Sequence, residues 1–183
     1  MSDFNFGAQL AMSDSLPAQN SIDAFIRENF SGVSEIKRAS TADDKKGTDY
    51  WITLKSGKKY SVDVKIREED FSRIDKTQDD LALELWSVLY VKPGWTRDEN
   101  KATDFVLWYW IDTGRTCMVS FPFLCAAFKQ NMGIWIGKYT DSVFEQVTVN
   151  PDQSEYVSQC IFVPRLVVLQ AINDKFGGGS LAA

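Results

Sequence analysis

The 183-residue chain contains no histidine. That absence excludes Ser-His-Asp and Cys-His triads, imidazole general-base catalysis and histidine-based zinc chemistry. Cysteine is scarce: Cys117, Cys125 and Cys160 are odd in number, lack CxxC spacing and lie in apolar surroundings. They read as reduced, buried thiols of a cytoplasmic protein, not as a disulfide framework or a zinc site. Charges or turn residues interrupt every apolar run before it reaches the roughly 20 residues of a membrane span, so no membrane association is expected. The opening stretch, MSDFNFGAQLAMSDSLP, has an early Asp3 and no basic segment, so it does not read as a secretory signal. Any chemistry must therefore come from carboxylates, lysines, hydroxyls and a hard metal ion such as magnesium.

What is present is enough apolar material for a full core, with 44% hydrophobic and 13% aromatic residues. The length suits one domain over 21–176, with 1–20 as an N-terminal arm and the Gly-rich 177–183 as a flexible tail. The most informative stretch is Gly47–Glu68, GTDYWITLKSGKKYSVDVKIRE. It reads as two strands around a tight turn, with Tyr50, Ile52 and Leu54 alternating in the first and Tyr60, Val62, Val64 and Ile66 in the second. Successive side chains on a strand point to opposite faces, so Asp63 and Lys65 share one face while the apolar set fills the other. Laying Tyr50, Ile52 and Leu54 beside Val64, Val62 and Tyr60 requires an odd loop, for which Ser56-Gly57-Lys58 is the simplest choice. That register sets Asp49 opposite Lys65 and Trp51 opposite Asp63. Two carboxylates and a lysine then converge on one patch of sheet, where the ordinary alternative is a solvated outer face with a chance ion pair.

These residues, Asp49 followed by Asp63-Val64-Lys65 on consecutive hairpin strands, resemble the PD-(D/E)XK nuclease superfamily. The resemblance covers roughly residues 20–90, with a helix expected before the hairpin (Ser21 to Phe30) and another after it (Gln78 to Tyr90). Thr48 stands where the family name has Pro, and the middle acid is Asp instead of Glu. The resemblance implies a restriction-endonuclease-like α/β (α+β) fold with a mixed central sheet flanked by helices. It also implies a metal-dependent nuclease of the small kind carried by bacteriophages and mobile elements, acting on nucleic acid, with DNA preferred. Asp49 and Asp63 would ligate Mg2+ or Mn2+ with the Val64 carbonyl as a third ligand, and Lys65 would orient the water. In the family the first helix often carries an acid directed at the metal; Glu28 is the candidate, a surface glutamate being the default for such a residue. Glu84 has two readings: aimed at the cluster from a helix packed across the sheet, or bordering the core in water or a salt bridge.

Charge distribution adds a weaker argument. The net charge is −5, yet between Lys37 and Lys76 there are 11 Lys and Arg against 8 acids, a local +3 that leaves −8 elsewhere. A polyanion can approach the hairpin side, and Lys45, Lys46, Lys58, Lys59 and Arg67 are the candidate contacts. The alternative to an enzyme is a catalytically inactive nuclease-like fold, or an acidic inhibitor that acts as a protein-interaction module.

Elsewhere, Val33 to Arg38 reads as a short strand and Thr41 to Gly47 as a loop. Thr103 to Asp112, apolar on both faces, reads as a central strand, so Trp108, Tyr109 and Trp110 are core and not base-stacking platforms. Thr116 to Ser120 reads as a strand, and a helix is expected from Phe121 to about Asn131, ended by Gly133. A looser region reaches Asp152, followed by a strand from Tyr156 to Val163 and a last helix opened by Pro164.

Overall fold

A computed structural model describes residues 16–44, 46–149 and 154–177. The chain is mixed α+β, and its described residues group into two compact units with interleaved segments. One unit holds 16–70 and 101–122, the other 71–100 and 123–177. Of the arm expected over 1–20, residues 1–15 lie outside the described residues and 16–20 are helical; of the tail expected over 177–183, residues 178–183 lie outside them.

The first unit is built on a five-stranded sheet with the order β1 (Val33–Arg38), β2 (Tyr50–Leu54), β3 (Lys59–Arg67), β6 (Phe105–Trp110) and β7 (Thr116–Ser120). Its strands pair antiparallel except β3 with β6, which run parallel. One face carries Tyr50, Ile52, Val62, Leu107 and Tyr109. Against it packs α1 (Leu16–Asn29) through Ala18, Ile22 and Ile26, spaced four apart on one helix stripe. Each of these isoleucines is fully buried, worth about 1.5–3 kcal/mol relative to exposure. α1 begins earlier than the Ser21 start read from the sequence. Pro17 occupies its first turn, where a missing N–H costs nothing, and Ser21 lies inside, donating its hydroxyl to the Pro17 carbonyl at 3.0 Å. The loop expected after β1 contains a single helical turn, α2 (Thr41–Asp44).

The hairpin forms as expected, but its register differs by two residues. Tyr50 pairs with Val62 and Ile52 with Tyr60. The apolar set keeps its face, because a two-residue slip preserves alternation. The turn itself decides the shift. Gly57 N–H bonds the Leu54 carbonyl at 2.8 Å and Leu54 N–H bonds the Lys58 carbonyl at 2.9 Å, so the loop is Lys55-Ser56-Gly57. Gly57 has φ 82°, the left-handed position that closes a three-residue hairpin loop. Placing glycine last in the loop, not in its middle, is what moves the register.

The second unit carries a sheet ordered β5 (Lys92–Pro93), β4 (Asp80–Val88), β9 (Glu155–Pro164) and β8 (Val143–Val149), all antiparallel. Residues 78–90 are therefore not the helix expected after the hairpin: Leu81, Leu83 and Leu85 are buried while Ala82, Glu84 and Trp86 are less so, the alternation of a strand. Just ahead of it, the Thr77 N–H bonds Asp75 at the head of a short 3-10 turn. The helix α3 (Phe121–Lys138) runs through Gly133, which has no left-handed φ to end it, and buries Trp135 against Phe128. The region beyond it, read as loose, contains β8. Pro164 ends β9 and precedes α4 (Arg165–Phe176), whose Arg165 grips Asp79 with two guanidinium nitrogens. Val168 and Ile172 of α4 are buried, and Gly177 caps it with φ 68°. All three cysteines are free thiols. No helix among the described residues is long and apolar enough to cross a membrane.

Gly57 is the point at which the hairpin register can be tested. A Cβ there meets nothing within 4 Å, so Gly57→Ala should cost only the left-handed backbone, about 1–2 kcal/mol. Urea unfolding of the variant should show that loss, with Gly57→Asn recovering part of it.

Candidate functional site

The face of the first sheet turned away from α1 carries Asp63 and Lys65, beside the buried Val106 and Trp108 of β6. Asp49 N–H donates to the Val62 carbonyl at 2.8 Å from just outside the paired stretch, which ends with Tyr50 opposite Val62, so Asp49 does not stand opposite Lys65. Trp51 faces Ser61 instead of Asp63. Asp49, Asp63 and Lys65 nevertheless meet. The Val64 N–H donates to Asp49 Oδ2 at 2.6 Å, and Lys65 Nζ lies 2.8 Å from Asp63 Oδ1.

Sequence reasoning missed a fourth member, Lys101, whose ammonium sits on Asp63 Oδ2. It comes from the segment before β6, and a series of polar ties fixes that segment. Thr103 Oγ1 donates to the Gly47 carbonyl at 2.6 Å and Thr48 Oγ1 to the Ala102 carbonyl at 3.0 Å. Asp104 Oδ2 accepts from both Ser61 N–H, at 2.7 Å, and Ser61 Oγ, at 3.0 Å. The Lys101 stem crosses directly over Gly47, where an added Cβ would lie 1.6 Å from Lys101 Cε. No spacing in the sequence announces Lys101; the visible hint was Gly47 just ahead of Asp49, and only the fold shows what its bare Cα accommodates.

Burial and neighbouring charge split the two acids. Asp63 is 3% exposed. Burial would raise its pKa, but the Lys65 and Lys101 ammonium groups together overrule that and hold it below the usual value. Asp49 moves the other way, to about 6, raised by burial and then by the Asp63 charge, with the Val64 N–H and Lys65 opposing. Lys101 is pushed down by burial and by Lys65, with Asp63 and Asp49 offsetting. One acid is thus fixed as a carboxylate, while the other changes protonation near neutrality, the range in which a general base or a cation ligand works.

The remaining expected site residues are not gathered here. Glu28 is exposed on α1, which covers the opposite, apolar face of the sheet. Glu84 lies on β4 in the second unit, where Oε2 accepts from Ser87 Oγ at 2.6 Å and from the Trp95 N–H at 2.8 Å. Of the basic residues, Lys59 and Arg67 share the Asp63 face of β3 by alternation. Lys46 and Lys58 are exposed, Lys58 lying over the Tyr60 ring at 4.6 Å, and Lys45 is outside the described residues. Among the described residues no group of three or more acidic, Cys or His side chains is placed to hold a metal. The hard-oxygen donors at hand are Asp49, Asp63 and the Val64 backbone, a set that suits magnesium or manganese. No family model, curated protein or solved structure matches the chain.

Protonation of Asp49 is linked to folding. Its pKa is higher folded than unfolded, so the folded state holds the extra proton between about pH 4 and pH 6 and loses stability as pH rises through that window. The loss is on the order of 3 kcal/mol. Asp63 shifts downward, so its contribution is lost only in stronger acid. Asp49→Asn keeps an acceptor for the Val64 N–H and should therefore be more stable than wild type at pH 8 and close to it at pH 4, in chelator. Equal pH slopes in the two melting curves would contradict the assignment.

Proposed function

We propose that the protein is a metal-dependent nuclease that hydrolyses phosphodiester bonds, with DNA the expected substrate. The observation that carries the reading is the meeting of two acids with a lysine: Asp63 on β3 holds Lys65 from two residues further along the strand, and Asp49, close enough to feel the Asp63 charge, accepts from the Val64 N–H between them. A buried and a half-buried carboxylate this close repel each other, and a shared divalent cation relieves that repulsion. Asp49 and Asp63 would hold Mg2+ or Mn2+, joined by the carbonyl of Val64. Such an ion supplies Lewis acidity and a lowered pKa for bound water.

The chain's own groups do the rest. Lys65 keeps an ammonium within reach of the same carboxylate, where it orients a water and offsets charge growing on the phosphate. Lys59 and Arg67, on the same face of β3, and exposed Lys46 and Lys58 extend the positive character along the path of a polyanion. The hairpin and its preceding helix agree with the superfamily resemblance, whereas a strand of a second sheet stands where a following helix was expected.

A second reading has its own observation. Both oxygens of Asp63 carry an ammonium, so the cluster is charge-satisfied as it stands. That favours a catalytically inactive nuclease-like fold or an acidic inhibitor acting through its surface. Incubation with plasmid, single-stranded and branched DNA, and with RNA, separates the two. The nuclease should cut in Mg2+ or Mn2+ and stop in chelator, with Asp63→Asn and Lys65→Ala each slowing cleavage by about 100-fold or more. An interaction module would leave every substrate intact and show no cation-dependent rise in melting temperature.

A further inference from the structure

Lys101 occupies Asp63 in a way that calls for an account beyond pairing. Asp63 needs one partner, and Lys65 on its own strand supplies it at Oδ1, yet a second ammonium is brought to Oδ2 from a separate segment. The Lys101 side chain is 10% exposed. Its path depends on Gly47, and the flanking backbone is fastened by Thr48 and Thr103, both buried. With two carboxylates and two ammonium groups the cluster is formally neutral. A divalent cation entering between Asp49 and Asp63 would meet two like charges already on the carboxylate it needs, and close like charges strongly oppose one another.

The inference rests on the nuclease reading: we propose that Lys101 is an internal competitor for the cation position on Asp63, displaced when a divalent cation binds and then satisfied by a phosphate oxygen of the substrate. Cation and phosphate binding are thereby coupled. Without a phosphate, the displaced ammonium has lost its partner and cation affinity is low; with one, it regains an anion and affinity rises. By linkage, the cation strengthens phosphate binding by the same factor. Lys101 acts here as a positioning and selectivity residue, which keeps the site closed to cations until a phosphodiester arrives. Lys65 is less suited to that part, because it extends from the same strand as Asp63 and its side chain is already 30% exposed.

The test is calorimetric titration of the full chain with Mn2+, with and without a hydrolysis-resistant phosphorothioate oligonucleotide. Wild type, Lys101→Met, Lys101→Gln and Asp63→Asn are compared. Wild type should bind Mn2+ more tightly when the oligonucleotide is present. Both Lys101 variants should bind at least about tenfold tighter than wild type in its absence, a conservative figure for removing a close like charge, and should lose the enhancement. The glutamine variant retains a hydrogen-bonding end toward Asp63, so it guards against a methionine variant that fails to fold. Unchanged Mn2+ affinity in the folded Lys101 variants, with binding still abolished by Asp63→Asn, would overturn the competitor role and leave the nuclease reading standing. Absence of Mn2+ binding in wild type and both Lys101 variants would overturn both.

Discussion

The pairing of β2 with β3 governs every relation in the polar cluster. Tyr50, Ile52, Val62 and Val64 must all face α1, which restricts the two strands to registers that differ by even steps. Among those, Gly57 selects one, because its left-handed backbone belongs at the end of the loop. The selected register ends with Tyr50 opposite Val62 and leaves Asp49, just beyond it, close enough to Asp63 for the two acids to repel, an arrangement that is unfavourable by itself. Two lysines offset it, one from the same strand and one carried in from the segment before β6. The apolar side of the sheet supplies the rigidity that holds these charges in place, since Ile22, Ile26, Ile52 and Val62 form a sealed layer behind them.

Local alternation made much of this visible before any coordinates. The hairpin, the strand at Val33–Arg38, the buried aromatic strand Phe105–Trp110 and the shared face of Asp63 and Lys65 follow from side-chain period and turn chemistry. The loop length was correctly odd, but its position was not, because composition alone does not say which of three loop residues takes the positive φ. Lys101 was out of reach for a different reason. Its role comes from hydrogen bonds between Thr48 and Ala102 and between Thr103 and Gly47, contacts across the chain that leave no periodic trace.

The segment 80–88, DLALELWSV, shows how two periods compete. Leu81, Leu85 and Val88 fit a helical stripe, and a helix was also what the family resemblance called for. Leu83 is the residue that decides: on a helix it falls off the stripe, whereas on a strand it joins Leu81 and Leu85 on one face. The pairing with Ile161 and Val163 of β9 rewards the second arrangement. Glu84 follows from this, since a carboxylate beside a buried strand must find donors, and Ser87 and the Trp95 backbone provide them. Gly94 is part of the same fit, as a Cβ there would lie 2.1 Å from the Glu84 carbonyl oxygen.

Because the chain leaves the first unit at residue 70 and re-enters it at 101, the sheet that bears the acids is stitched from segments made at different times during synthesis. β3 can acquire its parallel neighbour only after the intervening stretch has emerged, and closing so long an excursion carries an entropic cost that adjacent hairpins avoid. The acidic pair on the nascent hairpin is therefore complete before its second lysine arrives. Neither unit is a contiguous fragment that a simple truncation would isolate.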